Sequence, residues 1–106
     1  MNDLEQLGFR ALADTTRRDI LQMLASDELT IREIAANFQM TRAAVKKHLT
    51  ILDEGGLITT RKVGRTRVNT LNATGLRRVV NWFGFFDDFW DSRLAALKSD
   101  IERDVQ

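Results

Sequence analysis

The chain contains no cysteine and no proline, one histidine and only six glycines in 106 residues. Without cysteine there is no disulfide and no thiolate metal site. Without proline no helix is cut short by a missing amide donor, so a helical chain with short connections is expected. No glycine-rich loop is present to cradle a phosphate, and no paired carboxylates mark an evident pocket. The single histidine, His48, makes a poor zinc site alone; on the apolar side of its helix it is expected to be packed and hydrogen-bonded. No stretch approaches the roughly 18 uncharged apolar residues of a membrane span. The first residues, Met1-Asn-Asp-Leu-Glu5, lack the basic start and apolar segment of a secretion signal. These absences predict one cytoplasmic domain with no cofactor, no metal, no membrane partner and no enzymatic role.

What is present is an uneven charge distribution hidden by a net charge of +1. From Thr41 to Arg67 seven cations stand against Asp53 and Glu54, a net of +5. From Asp87 to Gln106 six anions outnumber three cations, a net of −3. A polyanion-binding face and a separate face turned away from it are expected.

The pattern of apolar residues and caps predicts the elements in order. Leu4, Leu7 and Leu12 mark a first helix, and Asp14 caps a second whose buried stripe is Ile20, Leu21 and Leu24. Ser26-Asp27-Glu28 is read as a loop. Thr30 with Glu33 is a capping-box pattern, followed by an apolar face of Ile31, Ile34, Ala35 and Phe38. After a turn at Gln39-Met40, Thr41 caps a helix to Asp53. Its buried face is Val45, His48, Leu49 and Leu52, and its opposite face carries Arg42, Ala43, Lys46, Lys47 and Thr50. Gly55-Gly56 ends this helix through a left-handed conformation. The β-branched runs 57–63 and 66–71 predict two strands turning at Gly64-Arg65. Asn72 or Thr74 then starts the longest helix, running to about Arg103 and weakened at Gly84.

Helix, tight turn, basic helix and basic hairpin describe a winged helix-turn-helix. The expected fold is mainly α with a small β-hairpin and about five helices, in one domain over residues 1–106. Residues 30–53 form the helix-turn-helix, 57–71 the wing, and 1–12 and 73–103 the dimerisation helices. Double-stranded DNA is the expected partner. Thr41 and the free amides behind it suit a phosphate, Arg42 suits a guanine edge, and Ala43 and Thr50 allow close approach or contact with a thymine methyl. Lys46 and Lys47 share this helix. In the wing, Arg65 sits at the tip facing a minor groove, while Arg61, Lys62 and Arg67 track phosphates. Charges that keep an edge strand soluble are the other reading of the wing. A helix surface serving an acidic protein partner is the other reading of the domain.

These residues resemble the ArsR-type (arsenical-repressor-like) winged-helix repressors. The resemblance rests on Phe9 to Leu21, Ile34-Ala35, Thr41 to Val45, His48-Leu49, Ile51-Leu52, Glu54 to Ile58, Gly64-Arg65 and Leu71-Asn72, and covers residues 7 to 72. It implies a homodimeric repressor on an inverted-repeat operator. Three positions depart from the family pattern. Thr15 stands where the family usually has proline, and Gln39 where the turn often has glycine or asparagine, with strain if Gln39 takes positive φ. The helix before the turn lacks the cysteines of the metal-sensing branch. Asp87, Asp88 and Asp91 have no histidine nearby and are read as a solvated face, so the resemblance is to the metal-independent branch.

In the last helix Val79, Phe83, Phe86, Trp90, Leu94, Leu97 and Ile101 follow a coiled-coil-like spacing, with Trp82, Phe85 and Phe89 as a second stripe. A domain this small has little core to cover both, so a second subunit is the expected cover, with Leu4 and Leu7 alongside. The alternative cover is a small apolar inducer, whose identity the residues leave unknown.

Overall fold

The computed structural model describes residues 3–105. The elements are α1 (Asp3–Leu12), α2 (Thr15–Ser26), β1 (Leu29–Thr30), α3 (Ile31–Asn37), α4 (Arg42–Glu54), β2 (Ile58–Val63) and β3 (Thr66–Leu71), then α5 (Ala73–Phe83), a 3-10 turn (Gly84–Phe86) and α6 (Asp87–Val105). The terminal helix expected from residue 1 has its first two positions outside the described residues.

Each helix start inside the body is set by a side-chain oxygen that accepts a first-turn amide which would otherwise lack a partner. Asp14 Oδ2 accepts from the Arg17 amide at 3.0 Å and Thr41 Oγ1 from the Ala44 amide at 3.1 Å. Asn72, rather than Thr74, caps α5, accepting from the Gly75 amide at 3.2 Å. Thr30 and Glu33 complete a reciprocal capping box. Gly56 (φ 73°) and Gly64 (φ 63°) hold the left-handed conformations that end α4 and turn the hairpin. Of the pair expected to end α4, Gly55 stays right-handed. Among the described residues no non-glycine has positive φ, so Gln39 carries no strain of that kind.

The Asp14 carboxyl is held below the usual carboxylate range, chiefly by the Arg17 amide, with the Arg17 and His48 side chains adding. Because its folded pKa is depressed, its stabilisation is full at neutral pH and is lost as pH falls through that depressed value. Asp14→Ala is expected to cost about 1 kcal/mol at neutral pH. Urea titrations of both proteins should converge well below the carboxylate range; a difference that persists there would contradict this account.

The core joins Ala11, Ile20, Leu21, Leu24, Ile34, Val45, Leu49, Leu52, Leu57, Ile58 and Val79. Two expectations change. The hairpin is part of a three-stranded antiparallel sheet ordered β1-β3-β2, with Leu29 opposite Asn69 and Thr30 opposite Val68. Buried Asn69 fastens it: its Nδ2 donates to the Leu29 carbonyl at 3.1 Å, and its Oδ1 accepts from Thr60 Oγ1 at 3.0 Å.

The last helix is also not continuous. At Gly84, which has the weakest helix propensity after proline, the ladder tightens into the 3-10 turn, the Gly84 amide donating back to Asn81 and Trp82. Tertiary packing favours a bend there. The Trp82 ring lies 5.4 Å from Phe9 and 5.2 Å from Phe83. Trp82 is thus drawn onto α1, away from Phe85, which is 82% exposed, and the two do not form one stripe. The break also splits the expected seam between α5 and α6. Val79, expected at a dimer interface, is buried within the protomer instead. It fills the space beside Gly8, where an added Cβ would lie 3.3 Å from Val79 Cγ2.

Residues 83–104 are exposed throughout. The Cα radius of gyration is 18.6 Å, against about 13 Å for a compact chain of this length, because α6 projects from the body.

Candidate nucleic-acid interface

α4 is anchored by buried Val45, Leu49 and Leu52, which fixes the opposite face outward. Arg42, Ala43, Lys46, Lys47 and Thr50 are all exposed there, as is the cap Thr41. Among the described residues no acidic side chain pairs with Arg42, Lys46 or Lys47. The Thr50 hydroxyl donates to the Lys46 carbonyl at 2.9 Å.

Between α4 and the wing lies an open groove of about 870 Å³. Arg42, Lys46 and Thr50 line one wall, and Arg65 and Arg67 belong to the other. The fold therefore brings together five of the expected contact residues, from segments 15 or more positions apart in the chain. Thr41, Ala43 and Lys47 stand outside this groove on exposed α4 surface, and Lys62 is exposed on the outer part of β2. Arg61 is engaged elsewhere: its guanidinium pairs with Glu28, just before β1.

Arg32, Asn69 and Glu28 join this region without being among the residues expected from the sequence. Arg32 lines the groove from the first turn of α3. Its place opposite Ile31 and Ile34 on a capped helix was the available signal. Asn69 holds the sheet beneath the groove, and Glu28 meets a cation 33 positions away; no local pattern reports either.

His48 is half-buried and not enclosed in the apolar core. Its Nδ1 lies 3.8 Å from Asp14 Oδ2 and 3.5 Å from Arg17 Nη1. Arg17 in turn donates from Nε to the Ala11 carbonyl at 2.8 Å and from Nη2 to the Arg10 carbonyl at 3.1 Å. The cluster ties the end of α1 and the start of α2 to the middle of α4. Among the described residues no three His, Asp or Glu side chains converge as a metal site requires, and no helix is long and apolar enough to cross a membrane.

A helix fixed on its apolar side, cationic on its free side and flanked by a basic two-stranded wing defines a winged helix-turn-helix DNA-binding protein. Residues 14–60 match the family described as bacterial regulatory protein, arsR family. The transcriptional repressor SdpR of Bacillus subtilis is 33% identical over 81% of this chain and 96% of its own length. An ArsR-like transcriptional regulator from Rhodococcus sp. RHA1 superposes with a TM-score of 0.72 at 31% identity, over 91% of each chain. The homodimeric winged helix-turn-helix DNA-binding domain Mb0332 from Mycobacterium bovis does so with a TM-score of 0.65 at 26% identity, over 87% of this chain and 82% of that one. The chain belongs to the ArsR family of transcriptional regulators.

Proposed function

We propose that the protein is a cytoplasmic transcriptional repressor that binds an inverted-repeat operator as a homodimer. Convergence of Arg42 and Lys46 with Arg65 and Arg67 on one open groove carries this reading. α4 enters a major groove, with Arg42, Ala43, Lys46, Lys47 and Thr50 toward the duplex. The phosphate backbone passes beside α4 and the wing, meeting Arg67 in the groove and Thr41 and Lys62 on the exposed surface flanking it, while Arg65 at the wing tip faces a minor groove. Exposed Leu4, Phe83, Phe86, Trp90, Leu94 and Leu97, with half-buried Leu7, form the dimer surface. Two subunits set their α4 helices about 34 Å apart, one turn of duplex. Occupancy of a promoter then blocks polymerase.

Selection from random duplex DNA, followed by fluorescence anisotropy across a salt series, tests this. A two-fold-symmetric site with a steep linear fall of log affinity against log salt is expected. Failure to enrich any site would overturn the reading in favour of a surface for an acidic protein.

Arg61 gives a second, finer expectation. Paired with Glu28, it is partly neutralised and contributes little to phosphate binding. Glu28→Gln is expected to raise non-specific DNA affinity several-fold and steepen the salt slope by about one. The gain should vanish in an Arg61→Ala background. A gain that survives there would mean that Glu28 acts on DNA by itself.

A further inference from the structure

Arg32 belongs to neither α4 nor the wing, yet it lines their common groove from the first turn of α3. Its helix is packed on the core by buried Ile34 and half-buried Ile31, Ala35 and Phe38, which leaves Arg32 exposed. The nearest acid in the chain, Glu33, is turned back on the helix start, where its Oε1 accepts from the Thr30 amide at 3.0 Å. Asp53, the one acid of the groove lining, pairs with no described cation. Arg32 therefore has no anionic partner among the described residues. We propose that Arg32 of α3 and Arg67 of β3 together grip one phosphate of the DNA backbone. The inference rests on the DNA-binding reading and adds a contact outside the recognition helix and the wing, one that positions the duplex without reading its bases.

The sheet sets the two arginines beside each other. β1 runs antiparallel to β3, with Thr30 opposite Val68. The chain thus leaves β1 one residue from the level of Arg67 and enters α3 at once, so that Arg32 follows within its first turn. Asn69, 3% exposed, fastens this pairing through its bond to the Leu29 carbonyl and so ties the start of α3 to β3. Across the hairpin, Lys62 stands directly opposite Arg67. Like charges in that position weaken a hairpin, and a phosphate beside them removes the cost. The groove as a whole sets five cations, Arg32, Arg42, Lys46, Arg65 and Arg67, against Asp53. Such an excess on one concave surface focuses a field that draws in a polyanion. A guanidinium presents paired N–H donors to phosphate oxygens, so two arginines on separate elements can serve both free oxygens of one phosphate. With α4 in the major groove, a side chain from α3 meets the backbone and not the base edges.

Anisotropy titrations of the full-length protein across a salt series, on the selected site and on a scrambled duplex, test this grip. Arg32→Ala is expected to weaken binding to both duplexes equally, about three- to tenfold, and to lower the salt slope by about one. Its melting temperature should match that of the parent protein, since Arg32 covers no core and holds no ion pair. Arg32→Lys keeps the charge but loses the two-pronged contact, so it should recover the slope and only part of the affinity. Because the two arginines share a phosphate, the losses from Arg32→Ala and Arg67→Ala should combine to less than their product. Losses that multiply would place them on separate phosphates and overturn the shared grip. A fall in specificity at an unchanged slope would put Arg32 on a base edge, and full parental affinity would leave it no contact. Either result overturns the proposal while DNA binding by α4 and the wing stands. A parent protein that binds no duplex removes that wider reading as well.

Discussion

Replacing Lys46 and Lys47 together by alanine is expected to abolish specific operator binding, weakening it about a hundredfold or more, while leaving the protein folded and dimeric. Both side chains are exposed on the free face of α4, and neither has an acidic partner among the described residues. Their removal breaks no internal ion pair, so the melting temperature should hardly move. Base-edge hydrogen bonds are worth about 1–3 kcal/mol each, and taking one cation away from a phosphate lowers the salt slope by about one. The two effects separate the roles. A fall in specificity with an unchanged slope puts the lysines on bases, and a slope lower by about two puts them on phosphates. Anisotropy titrations on the selected site and on a scrambled duplex read both quantities. Unchanged operator affinity in this variant would sink the placement of α4 in the major groove.

Gly75→Ala is expected to be the most destabilising substitution. Gly75 lies in the first turn of α5, packed on the Gly55-Gly56 bend that ends α4. A Cβ added there would fall 1.7 Å from the Gly56 carbonyl oxygen and 2.6 Å from its carbon. Both are backbone atoms, with no side chain to swing aside. The same junction is strapped by the Asn72 amide, which donates to the Leu57 carbonyl at 2.9 Å. α5 would have to lift, separating Val79 from Gly8. Alanine gains about 1 kcal/mol in helix propensity over glycine, but an overlap this deep costs about 3 kcal/mol or more. A drop in melting temperature of roughly 10 °C or more follows for a domain of this size. Gly84→Ala is the control, because the nearest atom to its added Cβ is Asp87 Oδ2 at 3.8 Å. That variant should melt no lower than the parent protein. Equal behaviour of the two would show that the junction relaxes and that Gly75 is not required.

The capping residues were legible because capping is local. An acceptor at Asp14, Thr30, Thr41 or Asn72 reaches an amide three residues on, and no distant atom is needed to satisfy it. The periodic apolar faces of α2 and α4 were legible for the same reason, and they fixed which face of α4 turns outward. β1 was not. Two residues carry no alternation, and Leu29-Thr30 becomes a strand only because β3 offers its edge. The Glu28–Arg61 pair, the groove wall at Arg32 and the role of Asn69 depend on chain segments brought together by that same sheet. Val79 is the instructive miss. It follows the spacing of the exposed apolar positions on α5 and α6, and spacing cannot distinguish a residue covered by α1 from one left for a partner.

The sequence by itself determined the order of elements, the caps and turns that bound them, and the cationic character of α4 and the wing. Each of these follows from side chains within a few positions of one another. Tertiary structure decided which cations share a groove, which arginine is held by an acid, where the last helix bends and which apolar residues remain uncovered. Those outcomes depend on the close approach of α1, α4 and α5 at their glycines and on the pairing of β1 with β3, where the touching atoms belong to residues far apart in the chain.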